Sequence, residues 1–165
     1  MKRARRPSPQ IPSAPLGRAL LMLAVFAPLG GAALPVAAQA IEYRSVAAST
    51  LLREQPAPDA EALFRLRPGT PVEIVVREDG WMRVRDPAGG FGWVEGGALV
   101  TRRTVIVTAE RAIVRRAAQE TAAPAFEATR NVVLELLEPA SEGWARVRHV
   151  EGFEGYVHAS EVWGL

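Results

Sequence analysis

The chain contains no cysteine. That excludes a disulfide framework, a thiol nucleophile and a lipid-acylated cysteine anchor. A fold without covalent staples rests on core packing alone, which is marginal for a unit of about 60 residues. Histidine occurs twice, at His149 and His158. Neither has a second ligand at metal-binding spacing, so both are expected in structural or solvent-facing roles, and no metal or cofactor is expected. Beyond residue 40 serine is confined to Ser45, Ser49, Ser141 and Ser160, with no G-x-S-x-G elbow. Nucleophilic hydrolysis therefore lacks its parts. Glycoside hydrolysis needs only two carboxylates, which composition does not exclude. The acids here are scattered through turns and strand faces, and no enzyme activity is expected.

Lysine occurs once, at Lys2. It belongs to a basic leader of Lys2, Arg3, Arg5, Arg6 and Arg18 with no acid, followed by an apolar run rich in Leu and Ala that ends in Ala38-Gln39-Ala40. A basic start, an apolar middle and a small-x-small end make a signal peptide over residues 1–40, cleaved before Ile41. The alternative is a retained anchor, since 19–38 is long enough to span a bilayer. Pro28, Gly30, Gly31 and Pro35 interrupt that run. The expected destination is the periplasm or the extracellular space, with no stable membrane insertion after cleavage. The charge also changes on cleavage. All 18 acids lie beyond residue 40, with 20 − 5 = 15 of the basic residues, so the remainder carries 15 − 18 = −3. The basic pI of the whole chain thus gives no support for a nucleic-acid partner.

What remains is written twice. Residues 81–94 read WMRVRDPAGGFGWV and residues 144–157 read WARVRHVEGFEGYV. The offset is 63 for Trp81/Trp144, Arg83/Arg146, Arg85/Arg148, Gly92/Gly155 and Val94/Val157. Upstream it is 62, matching Leu52-Arg53 to Val114-Arg115, Phe64 to Phe126 and Glu73 to Glu135. One extra residue, where VREDG becomes EPASEG, accounts for the change. A fixed repeat of this length points to one small module used twice. The first copy is placed at 43–100 and the second at 104–165. The joint, Thr101-Arg102-Arg103-Thr104, is too short for freely swinging domains.

Within each copy the apolar period is two. Val72, Ile74 and Val76 alternate with Glu73, Val75 and Arg77, and Leu134 and Leu136 flank Glu135. These are half-buried strands separated by Gly- and Pro-rich turns. The stretch 57–66 reads as a loop. Setting Glu73 opposite Arg85 places Val76 opposite Met82 and leaves Glu78-Asp79-Gly80 as a three-residue loop, with Gly80 left-handed. The same register sets Glu135 opposite Arg148. The core is expected on Leu52, Val72, Ile74, Val84, Val94 and Leu99, and on Val114, Leu134, Leu136, Val147, Val157 and Val162. The fold class is all-β, two small closed or partly closed barrels.

The motifs resemble the bacterial SH3-like domain. The first copy carries Leu52-Arg53, then Leu66-Arg67-Pro68-Gly69 leading to Val72-Glu73-Ile74, then Gly80-Trp81-Met82-Arg83-Val84, Gly92-Trp93-Val94 and Leu99. The second carries Val114-Arg115, Leu134-Glu135-Leu136, Gly143-Trp144-Ala145-Arg146-Val147, Gly155-Tyr156-Val157 and Val162, with Arg130-Asn131 where the first has Pro68-Gly69. The resemblance implies two tandem SH3-like barrels that bind or target without catalysing, a module common in exported proteins and beside cell-wall hydrolases. The proline-peptide groove of eukaryotic relatives is not implied. Its Trp falls at Trp81 and Trp144, but its Pro and Tyr fall at Glu95 and Ala98, and at His158 and Glu161.

The candidate ligand surface is Trp81 with Arg83 and Arg85, and Trp144 with Arg146 and Arg148. Alternation puts each Trp on the outer face beside two arginines. An aromatic there could stack on a sugar or peptide group and the arginines could hold carboxylates. The bland alternatives are a Trp packed over its own barrel and arginines paired with Glu73 and Glu135. Trp93 and Tyr156, which precede core valines, are read as packing residues. The expected role is non-catalytic binding at the cell envelope, to peptidoglycan or an envelope protein. The alternatives are a protein–protein adaptor and an accessory to a separate cell-wall hydrolase. Oligomeric state is left open.

Overall fold

A computed structural model describes residues 41–165, and the signal-peptide reading of residues 1–40 lies outside the described residues. The first copy contributes β1 (Glu42–Val46), β2 (Thr50–Arg53), β3 (Ala62–Leu66), β4 (Pro71–Glu78), β5 (Trp81–Arg85), β6 (Phe91–Glu95) and β7 (Leu99–Val100). The second contributes β8 (Thr104–Val107), β9 (Arg111–Arg115), β10 (Pro124–Thr129), β11 (Val133–Ser141), β12 (Trp144–Arg148), β13 (Glu154–His158) and β14 (Val162–Trp163). A single 3-10 turn, Gly96–Ala98 or Ala159–Glu161, precedes each last strand. The strand orders are β3-β2-β6-β5-β4-β1-β7 and β10-β9-β13-β12-β11-β8-β14, the same path with each strand advanced by seven. The duplication is therefore one of fold.

Each sheet is rolled. The first core joins Val46, Leu52, Leu66, Val72, Val84 and Val94, with Leu99 packed against it. Leu66 lies on one outer strand of the order and Leu99 on the other, so the sheet must curl for both to share a core. Every strand supplies an inward side chain, as alternation requires. The second core joins Val105, Val107, Val114, Leu134, Val147, Val157 and Val162 with the alanines Ala112, Ala128 and Ala145. Of the expected core residues, Ile74, Leu99 and Leu136 are partly buried.

The register holds at its anchors. Glu73 stands opposite Arg85, and Glu135 opposite Arg148. Beyond them the hairpins depart from the expected count. A bulge between Ile74 and Val76 puts Val76 opposite Arg83, not Met82, and Glu78 opposite Trp81. The loop is then two residues, Asp79 and Gly80, with φ of 44° and 85°. Two consecutive positive φ values make the type I′ turn, whose twist matches that of the strands. The bulge also leaves Val75 and Val76 exposed at 45% and 41%, so the inward alternation of β4 stops at Ile74. The second copy makes the same turn with Glu142 and Gly143, φ 51° and 86°. Its strand β11 has two register shifts where β4 has one, and these absorb the extra residue of the second copy without lengthening the turn.

Two further expectations change. Residues 62–66 of the expected loop form the strand β3. Thr104 of the expected joint opens β8 and is buried. Its hydroxyl donates to the Gly69 carbonyl at 2.6 Å, so its oxygen accepts from the buried Ser45 hydroxyl at 2.8 Å. The two copies are thus hydrogen-bonded across a buried contact. The φ of +109° at Gly164 and the Pro71 ring 3.0 Å from where its Cβ would stand make glycine necessary there.

Candidate functional site

In each copy the strand after the I′ turn begins with tryptophan. Trp81 and Trp144 are half-buried, and the core side chains Val84 and Val147 point to the other side of their strands. Each Trp forms one wall of an open groove. In the first copy the groove, about 220 Å³, also takes in Leu51, Arg53, Arg65 and Glu95. In the second, about 320 Å³, it takes in Ile113, Arg115, Glu120, His158 and Glu161. Leu51/Ile113 and Arg53/Arg115 are 62 apart and Trp81/Trp144 and Glu95/His158 are 63 apart, so both grooves occupy the same place in the repeat.

The arginines of these grooves are Arg53 and Arg115, from the second strand of each copy. Arg53 Nη1 donates to the Ala60 carbonyl at 2.6 Å, and Arg115 Nη1 to the Ala122 carbonyl at 2.9 Å. Each ties down the loop that follows its strand. The loops match bond for bond. Glu54 N–H donates to Glu61 O and Arg116 N–H to Ala123 O, both at 3.0 Å. In the sequence these arginines stand out only as part of a motif. Their recurrence at constant offset was the available signal.

The other candidate arginines stand elsewhere. Arg83 lies over the Phe91 ring, 5.5 Å from its centroid. Arg85 sits 2.6 Å from the Glu73 carboxylate and 6.0 Å from the Trp163 ring, toward the second copy. Arg146 pairs with Glu138 at 2.6 Å and Glu154 at 2.9 Å. Arg148 pairs with Glu154 at 2.8 Å and Glu135 at 3.4 Å. Hydrogen bonds from Arg148 and then Arg146 hold the Glu154 carboxyl below its ordinary value of 4.5. Such exposed ladders add little stability individually. Arg146 and Arg148 thus stand together around Glu154, while neither lines the groove at Trp144.

The grooves also differ. In the first, Arg53, Arg65 and Glu95 give 2 − 1 = +1. In the second, Arg115, Glu120 and Glu161 give 1 − 2 = −1, with the His158 imidazole beside them. His158 meets Trp144 edge-on, with centroids 5.3 Å apart, and its Nδ1 lies 2.7 Å from Ser160 Oγ. His149 replaces Asp86 in the equivalent turn, where its N–H donates to Phe153 O at 2.8 Å. Trp93 and Tyr156 are half-buried, opposite Arg53 and Arg115. No group of three or more His, Cys, Asp or Glu side chains suited to a metal ion occurs among the described residues.

The family model of the bacterial SH3 domain matches residues 46–100 and again 108–164. The chain belongs to the bacterial SH3 domain family. Two bacterial SH3 domains in tandem account for the two identical strand orders. Similar solved structures include NlpC2 from Trichomonas vaginalis, at 15% identity and TM-score 0.36 over 76% of this chain and 48% of that one. NlpC1 from the same organism gives 17% and 0.36 over 76% and 46%. An NlpC/P60 family protein from Bacillus cereus gives 17% and 0.32 over 74% and 56%. The chain spans about half the length of these structures. No curated protein matches it.

Proposed function

We propose that this tandem of bacterial SH3 domains is an exported, non-catalytic binding protein of the cell envelope, and that its Trp grooves hold the ligand. One observation carries the reading. After divergence to few identities, both copies keep an open groove at the same place, walled by Trp and a strand arginine. A half-exposed indole offers flat stacking area for a sugar or peptide face, and the arginine beside it offers donors to a carbonyl or carboxylate. Peptidoglycan presents both. Two weak sites on one tandem give avidity where both reach the same polymer.

Purified wall sacculi provide the test. The wild-type chain co-sediments with them, and the Trp81→Ala/Trp144→Ala variant, shown by circular dichroism to be folded, loses that retention. Retention unchanged by the double substitution removes the grooves from the reading. No retention of the wild type turns it to an envelope protein as target, sought by cross-linking in the envelope fraction.

A further inference from the structure

Residues of both copies line a cleft of about 660 Å³. It is separate from the Trp grooves and shares only Arg65 with them. Its volume lies in the ordinary range of ligand sites, roughly 300–1,000 Å³. We infer that this cleft is a second binding site, for an acidic peptide segment that carries an apolar side chain.

Charge comes first. Arg65, Arg67 and Arg130 line the cleft against one acid, Asp86, a balance of 3 − 1 = +2. Asp86 is engaged in its own turn, where Oδ1 accepts from the N–H of Ala88 at 2.7 Å and Gly90 at 3.0 Å. Arg65 reaches only the Ser49 hydroxyl, at 3.5 Å. Arg67 makes no ion pair among the described residues. Arg130 pairs with Glu110 at 3.0 Å, but both side chains are exposed, at 53% and 89%. Three exposed guanidiniums on one cleft suit carboxylates, which they can hold in bidentate fashion.

The apolar part is argued from the duplication. Phe126 of the second copy packs on its core and against the rings of His149 and Phe153, at 5.9 and 6.4 Å. In the first copy the positions of His149 and Phe153 are Asp86 and Gly90, and the counterpart Phe64 lines the cleft at 44% exposure. The first copy thus has the phenylalanine without the two ring partners. Pro87 and Val133 extend that apolar surface. A simple anion would use the arginines and leave this surface wet. A peptide uses both, and the Asn131 amide adds a donor and an acceptor for its backbone. The equivalent turns of the two copies, Pro68-Gly69 and Arg130-Asn131, both border the cleft, so only the tandem has it.

The test titrates the full-length chain with the peptide acetyl-Glu-Phe-Glu-amide, followed by NMR shifts and calorimetry. The controls are acetyl-Gln-Phe-Gln-amide and inorganic phosphate. Saturable binding of the acidic peptide is expected, with shifts at Phe64, Arg67, Arg130 and Asn131, and weaker binding of both controls. Arg67→Gln and Arg130→Gln, both exposed positions, each weaken it about tenfold, as removal of a charged hydrogen bond should. Trp81→Ala/Trp144→Ala leaves it unchanged, which separates this site from the grooves. If Arg130→Gln perturbs the fold, Arg65→Gln takes its place. Equal affinity for phosphate or for the neutral peptide overturns the proposal, as does a loss of binding in the Trp variant or no saturation by the acidic peptide.

Discussion

The ring of Tyr43 meets the ring of Trp163 edge-on, with centroids 5.1 Å apart and planes at 88°. Tyr43 lies in the first strand of the first copy and Trp163 in the last strand of the second, so the pair joins the two ends of the tandem. Arg103 covers the Tyr43 ring at 5.3 Å and also donates to the Gly164 carbonyl at 2.7 Å. With the buried Ser45–Thr104 bond, this contact supplies each small barrel with area its own core lacks. Truncating Trp163 to Ala should cost about 1–3 kcal/mol. Residues 41–101 made alone should melt below the tandem. Equal melting temperatures would remove the contact from the stability of the first copy.

The same contact predicts an alkaline transition. Burial, and then the charge of Glu73, raise the Tyr43 phenol above its ordinary value of 10.0. A raised folded-state value favours the neutral phenol, so its contribution is complete below pH 10.0 and is lost as pH rises through the raised value. Urea midpoints measured upward from pH 9 should fall for the wild type and fall less for Tyr43→Phe. Parallel curves for the two proteins would count against the Tyr43 origin.

Gly92 and Gly155 explain the small residue before the aromatic in both copies. A Cβ at Gly92 would stand 2.5 Å from Leu52 Cγ and 2.9 Å from the Arg53 carbonyl oxygen. At Gly155 it would stand 2.6 Å from the Arg115 carbonyl oxygen and 2.7 Å from Val114 Cγ1. Each glycine thus lets two strands approach beside the groove. Gly92→Ala and Gly155→Ala should each cost about 1–3 kcal/mol in chemical denaturation. Gly97, with nothing near its Cβ position, should accept Ala within about 0.5 kcal/mol. Equal effects at Gly92 and Gly97 would refute the close-approach account.

These details mark what could be read from the sequence. The pairings Glu73–Arg85 and Glu135–Arg148 were legible because the same opposite charges recur on the facing strands of both copies. Bulges were not, because a bulge leaves composition unchanged and only re-aims side chains such as Val76. The strand β8 was missed for a different reason. Thr104, Val105, Ile106 and Val107 are all buried, so the period of two vanishes. Val105 and Val107 belong to the second core, while Thr104 bonds to the first copy. Burial on both faces reads as a continuous apolar run. Trp81 and Trp144 were legible as a repeated outward aromatic. Their groove partners Arg53 and Arg115 were not, because strands distant in sequence become neighbours only when the sheet rolls.

Those two arginines give the last prediction. Each guanidinium lines its Trp groove and reaches the carbonyl seven residues ahead, Ala60 from Arg53 and Ala122 from Arg115, and so closes the loop that follows its strand. A charge-assisted bond to a carbonyl is worth about 1.5–3 kcal/mol when its loss leaves the oxygen poorly paired. Arg53→Met keeps much of the stem and removes the donor. Hydrogen exchange at the Glu54 N–H, bonded to Glu61 O at 3.0 Å, should then quicken about tenfold or more. Exchange at Val84 in the core and at Arg116 in the untouched copy should stay unchanged. Arg115→Met should reverse the pattern between copies. Because each arginine lines its groove, each substitution should also weaken sacculus retention with Trp81 and Trp144 intact. Unaltered exchange at Glu54 would show that the loop holds its shape without Arg53.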